Sequence, residues 1–118
     1  MATPPPRDLD IMVRNNTESG SYDAVLGERV VGMIVYEHRD NRVIFSHTIV
    51  EPEFREHGVG TALVRGALDD LRANGMSLTN YCGFVSDFIT DNPSYASLLD
   101  AHQPGHPVRN RRNGTQAT

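Results

Sequence analysis

Apolar positions along the 118-residue chain follow two different periods, and the change falls near residue 58. Ahead of it the pattern is that of strands. Residues 11–16 (IMVRNN) form a short apolar run closed by Asn15-Asn16, and Ser19-Gly20 then turns the chain. Residues 21–26 alternate weakly, with Tyr22, Ala24 and Leu26 against Asp23 and Val25, and Gly27-Glu28 predicts a tight hairpin. Residues 29–38 (RVVGMIVYEH) are rich in β-branched side chains and apolar on both alternating sets, which predicts a central strand. Gly32 inside that run marks a bulge or a close backbone contact. After the polar turn at 39–42, residues 43–50 (VIFSHTIV) give a further central strand, with Val43, Phe45, His47 and Ile49 expected on one face and Ile44, Ser46, Thr48 and Val50 on the other. Four strands joined by short turns predict an antiparallel meander.

Beyond residue 58 the spacing becomes helical. Gly60, Leu63, Val64, Ala67, Leu68 and Leu71 recur at three- and four-residue steps, Arg65, Asp69, Asp70 and Arg72 take the opposite side, and Gly75 is a stop signal. The spacing predicts a helix over 58–74, a strand over 76–82 and a short helix over 84–89 with Phe84, Val85, Phe88 and Ile89 buried. A strand that follows a crossover helix pairs in parallel with its neighbour, so the sheet is expected to be mixed. Asn92-Pro93 reads as a cap and first helical position for a last helix carrying Tyr95, Leu98 and Leu99. The expected fold is α/β (α+β in some schemes): a mixed, mostly antiparallel five-stranded sheet with a crossover helix on one face and a C-terminal helix.

Composition narrows where that fold sits. Residues 1–8 carry Thr-Pro-Pro-Pro-Arg and no apolar pattern, and residues 101–118 hold no large apolar side chain beyond Val108, so both are expected as disordered tails around a domain over 9–100. The last tail contains Arg109, Arg111 and Arg112 and no acid, which leaves eight arginines against fifteen acids in the rest of the chain. An acidic body excludes nucleic acid as the main partner, since that role needs a basic face. All eleven cations are arginine, so no lysine is available to hold a phosphate. A single cysteine, Cys82, permits no internal disulfide and predicts a reducing compartment. No signal-peptide pattern and no membrane-length apolar run is present, which leads to an expectation of a cytoplasmic protein with no membrane partner, monomeric or weakly homodimeric. No metal-ligand set is read from the sequence.

Candidate chemistry centres on residues 46–71, where an apolar strand feeds Arg55-Glu56-His57-Gly58-Val59-Gly60 and then the helix. Glycines at a helix start let the backbone approach a ligand closely, while the unpaired first-turn amides and the helix dipole favour an anion. Two readings follow: a strand-to-helix turn that uses glycine for geometry, or an anion site built from the amides of about residues 57–61 with help from Arg55. Neither the phosphate loop ending in Gly-Lys-Ser/Thr nor the dinucleotide GxGxxG pattern is present.

The whole order of motifs adds to this. Four strands, an Arg-x-x-Gly-x-Gly turn, a helix, a strand and a terminal helix together resemble the GCN5-related N-acetyltransferases. Val31-Gly32, His47-Thr48-Ile49-Val50, residues 55–60, Ala67-Leu68-Asp69 with Arg72 and Gly75, Cys82, and Pro93-Ser94-Tyr95 are similar to the small, minimal acetyltransferase-like branch of that superfamily, over roughly residues 11–99. The resemblance implies an acetyl-coenzyme A-dependent transferase acting on a small-molecule or protein amine. It places the pyrophosphate of coenzyme A on Arg55, Glu56, His57, Gly58, Val59, Gly60 and Thr61, and the pantetheine arm along Ile49 and Val50, with Asn92 and Tyr95 as further cofactor contacts. The thiol end then points between that strand and the one ending at Cys82. Larger family members have helices before the first strand that shape the acceptor site; this sequence has almost nothing there.

Amine acetylation needs an unprotonated amine, a polarised thioester carbonyl and a proton for the departing thiolate. His47 is a candidate base, or else a hydrogen-bonded structural histidine beside Phe45 and Ile49; Glu51 and Glu53 are alternative bases or solvated turn carboxylates. Cys82 is a candidate covalent acyl acceptor or a small buried apolar group. Tyr95 is a candidate proton donor to the leaving thiolate, a cofactor contact, or core. A coenzyme A-binding protein without turnover, and an interaction module with a purely structural glycine turn, are the rival readings.

Overall fold

The computed structural model describes residues 10–106; the expected tail over 1–8 and the arginines at 109, 111 and 112 lie outside the described residues. Five strands, β1 (Ile11–Asn16), β2 (Ser21–Leu26), β3 (Arg29–Arg39), β4 (Arg42–Val50) and β5 (Ser77–Asn80), form one sheet in that order. The first four pair antiparallel, and β5 runs parallel to β4 after the crossover helix α1 (Val59–Ala73). The mixed five-stranded sheet is therefore as the sequence leads one to expect.

Helix α1 places Leu63, Val64, Ala67, Leu68 and Leu71 against the sheet, where they meet Tyr22, Ile34, Phe45 and Leu78 in a single apolar cluster. Gly66 seats the helix on β1: a Cβ there would stand 2.6 Å from a methyl of Val13, so only a glycine allows this approach. The second half of α1 is fastened by two tyrosines. Tyr22 of β2 donates its phenol proton to Asp70 at 2.6 Å, and Tyr95 donates to Asp69 at 2.7 Å. Burial and the Asp70 carboxylate push the Tyr22 phenol well above its ordinary range.

Three departures from the sequence pattern matter for the site. β4 carries one extra residue at Ser46: Val35 pairs with His47, whereas the next residue, Tyr36, pairs with Phe45. A bulge of one residue reverses the alternation beyond it. Thr48 and Val50, not His47 and Ile49, therefore join Val43 and Phe45 on the side facing α1. His47 and Ile49 are exposed on the opposite face. Secondly, the last helix is a 3₁₀ segment over Pro93–Leu98, which follows α2 (Gly83–Asp91) and presents Tyr95 and Leu98 to the core. Finally, residues beyond 100 do not leave the domain at once. Asp100 donates its amide to Leu78, Asn80 to Pro104, and His106 to Asn80, so this segment runs along the free edge of β5. Gly105, at a φ of +89°, lies so close to Asn80 that no side chain fits there.

The expectation for Gly32 is met on both counts. One residue of β3 is extra between the partners of Ala24 and Val25, and a Cβ on Gly32 would stand 3.1 Å from the Ile49 carbonyl.

Candidate functional site

The bulge at Ser46 is also where β4 and β5 part. Their pairing ends at Phe45 and Asn80, with one more bond from the Tyr81 amide to the Phe45 carbonyl. Beyond it, β4 runs on to Val50 while the chain after β5 turns into α2. The wedge between them opens into a cleft of about 630 Å³ lined by Thr48, Ile49, Val50, Arg55, Glu56, Gly58, Gly60, Thr61 and Phe84.

One end of this cleft is the start of α1. After β4 a short 3₁₀ turn, Pro52–Phe54, reverses the chain, and Arg55 returns its Nε to the Val50 carbonyl at 3.2 Å. Glu56 and Gly58 then take left-handed backbone angles, with φ of +68° and +81°. Gly58 caps the helix with no side-chain hydrogen bond, and the first intrahelical bond runs from the Ala62 amide to the Gly58 carbonyl at 3.0 Å. The amides of Val59, Gly60 and Thr61 precede it, and such first-turn donors attract an anion. No protein atom lies within 4 Å of the place a Cβ on Gly58 would take. The Arg29 guanidinium is drawn to Glu51 and stands 3.1 Å from Glu53, so these carboxylates are ion-paired and not free bases.

The cleft's walls are apolar. Phe84 is 44% exposed, a costly state for a large apolar side chain and one that a ligand lying between β4 and α2 would relieve, while Ile49 borders the cleft from the strand with its side chain on the other face of the sheet. Phe84 rests its ring against Gly60, where a Cβ would stand 2.9 Å from the ring. The sequence reading buries it with Val85, Phe88 and Ile89; those three fill the core and leave Phe84 in the cleft.

At the inner end, the Thr48 hydroxyl lies 3.1 Å from the Cys82 thiol. Cys82 itself is buried and does not line the cleft. Its backbone is held on both sides by Asn80, whose side-chain oxygen accepts from the Cys82 amide and whose nitrogen donates to the Cys82 carbonyl, both at 3.1 Å. The same Asn80 nitrogen donates to Ser86 of α2 at 3.0 Å.

The expected site residues thus divide. Ile49, Val50, Arg55, Glu56, Gly58, Gly60 and Thr61 come together around the cleft. Val59 is fully buried and has only its backbone to offer. His57 is half-buried and outside the lining. Three expectations are corrected. His47 faces the other side of the sheet because of the extra residue in β4. Tyr95 packs against Phe88 and under Arg72, and its phenol, committed to Asp69, is held above its usual range by that hydrogen bond. Asn92 closes α2, donating from its side chain to the Phe88 carbonyl at 2.9 Å, and supplies no side-chain cap to the 3₁₀ segment that follows. Two lining residues, Thr48 and Phe84, were not singled out as site residues. The strand end at Thr48 is a readable signal only if the bulge is known.

Among the described residues, no cluster of histidine, cysteine and acidic side chains suits a metal ion, and no helix is long and apolar enough to cross a membrane. The family model described as GCN5-related N-acetyltransferase matches residues 21–98, from the start of β2 to the last core leucine. No curated protein matches the chain. Among solved structures, the IAA acetyltransferase from Bacillus cereus ATCC 14579 is similar at 29% identity, with a TM-score of 0.43. The match covers 51% of this chain and 41% of that one, so the chain corresponds to under half of that protein.

Proposed function

Because the chain belongs to the GCN5-related N-acetyltransferase family, we propose that it transfers an acetyl group from acetyl-coenzyme A to an amine acceptor, a small molecule or a protein amine. The observation that carries this reading is the cleft itself. Its one end offers uncapped helix amides and an arginine to an anion, and its walls offer exposed apolar surface to an uncharged arm. That combination fits an amphipathic ligand with a diphosphate, and suits a bare phosphate or a wholly apolar ligand poorly.

In this reading the amides of Val59, Gly60 and Thr61, with Arg55, hold the pyrophosphate. Glu56 contributes through its left-handed backbone, its carboxylate being on the exposed rim. Val50 and Phe84 flank the arm and exclude water from it, and Ile49 borders it along the strand. Thr48 marks the inner end, where β4 and β5 have parted. Bound there, acetyl-coenzyme A would supply the acetyl group as an activated thioester. The negative body of the protein favours a cationic acceptor in the encounter.

A second reading, coenzyme A binding without turnover, is favoured by one observation. Neither His47 nor Tyr95 faces the cleft, and Glu51 and Glu53 are ion-paired. Melting in the presence of coenzyme A tests both, since a ligand at 100 times its Kd stabilises the native state by about 2.7 kcal/mol. Both readings predict a raised Tm; an unchanged Tm at millimolar coenzyme A removes both. Transfer of acetyl to a panel of polyamines, aromatic amines and basic peptides then separates enzyme from binder.

A further inference from the structure

The cleft needs a proton source for its inner end, and the residue expected to provide it, Tyr95, is turned to Asp69. What the cleft presents there is Thr48, whose hydroxyl is 3.1 Å from the Cys82 thiol behind it. Cys82 is 6% exposed and does not itself line the cleft, so of the two it is Thr48 that a ligand in the cleft meets. The pair is held rigidly: Asn80 grips the Cys82 backbone on both sides, and Thr48 is fixed in register opposite the fully buried Ile34.

We infer that Thr48 is a catalytic residue of the transfer, and that it and Cys82 form a proton carrier which protonates the departing thiolate. This rests on the transferase reading above. The Thr48 Oγ1 proton passes to the sulfur at the inner end of the cleft as the acyl–sulfur bond breaks, and the Cys82 Sγ proton passes to Oγ1 in the same step. The Thr48 hydroxyl then takes the proton that the acceptor nitrogen sheds as its new bond to the acetyl carbon forms, and passes its own to the Cys82 thiolate, which restores both groups. Nothing is oxidised, and the only net change is amine and thioester becoming amide and thiol. A hydroxyl alone is far too weak an acid for this work. A thiol is an acid of the same class as another alkyl thiol, and proton transfer is efficient where the two acidities match. Thr48 serves as the conduit, so no alkoxide need form. The same geometry argues against Cys82 as a covalent acyl carrier, because its sulfur is buried and does not line the cleft.

The test uses four single variants of the full chain: Thr48→Val, which keeps shape and loses the hydroxyl; Thr48→Ser; Cys82→Ala; and Cys82→Ser, which keeps a hydrogen bond but not the acidity. With acetyl-coenzyme A and an accepted amine, Thr48→Val, Cys82→Ala and Cys82→Ser are each expected to lower kcat by about 10²-fold, the lower range for a lost general acid. The coenzyme A-induced rise in Tm should stay unchanged in all three, and Thr48→Ser should keep most of the wild-type rate. A readout independent of turnover comes from the S–H stretch of the one cysteine in the ligand-free protein. It should shift to the free-thiol frequency in Thr48→Val and stay in place in Thr48→Ser. Wild-type kcat in Thr48→Val, an unmoved S–H band, or an acetyl group found on Cys82 by mass spectrometry after a single turnover would each overturn the carrier. A wild-type protein that fails to bind coenzyme A or to acetylate any amine would overturn the transferase reading with it, and is recognised by the wild-type melting and transfer assays alone.

Discussion

The two ends of helix α1 are built on opposite plans. Its second half is anchored: Leu68 and Leu71 are sealed in the core, Asp69 and Asp70 each accept a tyrosine hydroxyl from a different part of the fold, and Arg72 lies 4.8 Å over the Tyr95 ring. Its last turn is closed through Asn74, whose amide bonds back to the Asp70 and Leu71 carbonyls. The first turn buries Val59 in the core but has no polar anchor of this kind. It begins at a left-handed glycine, has no side-chain cap and opens on a cleft. A helix that must present free amides to a ligand cannot also satisfy them internally, so its rigidity has to come from its buried apolar face and the polar ties of the far end. The anchored half holds the axis still, and the open half is left with its donors unspent.

The contrast can be broken from either end. Leu68→Ala removes a fully buried side chain from the anchored half and should cost about 3 kcal/mol in denaturant unfolding, with the site's chemistry unaltered in the protein that remains folded. Gly58→Val acts on the other end. A β-branched residue at a φ of +81° should cost about 2 kcal/mol and also remove the coenzyme A-induced rise in Tm. A variant that melts lower but retains the full shift would show that the cradle does not depend on this glycine.

Tyr22→Phe should cost about 1.5 kcal/mol, because it leaves the Asp70 carboxylate without its charge-assisted donor. The same tyrosine gives a pH signature. Its folded pKa is raised, so the folded protein keeps this proton when the unfolded chain has lost it. Its stabilisation is complete below the ordinary tyrosine pKa of about 10 and is lost as pH rises beyond that. Unfolding free energy should therefore fall above about pH 10, and fall less steeply in Tyr22→Phe. The smallest effect is expected from Arg72→Ala, about 0.5 kcal/mol for an exposed cation over a ring.

One side of this contrast was legible in the sequence. The open end announces itself locally, since glycines, an arginine and a change of period lie within a few residues. Strand order and the parallel fifth strand were legible for the same reason: short turns force neighbours, and a crossover helix forces a parallel return. The anchored end was not. The partner of Tyr95 lies 26 residues away and that of Tyr22 lies 48 away, and both tyrosines read equally well as ordinary core. The reversal of β4 at Ser46 has the same character. A bulge is a property of two strands in register, so His47 and Thr48 exchange faces with no sign in β4 itself. Phe84 was misplaced because helical periodicity says which residues share a side, and not which side a cleft will claim.

The segment along β5 has a consequence outside the domain's own stability. A parallel strand at the end of a sheet exposes a row of donors and acceptors that another chain can recruit. Here Asp100, Pro104 and His106 occupy positions in that row, and Gly105 permits the backbone to lie flat against Asn80. These residues act as a guard against edge-to-edge association. A chain ended at residue 100 should keep its cleft and melt almost normally, yet scatter more light as its concentration rises. Gly105→Val should do the same at full length, since the guard cannot close over a branched side chain.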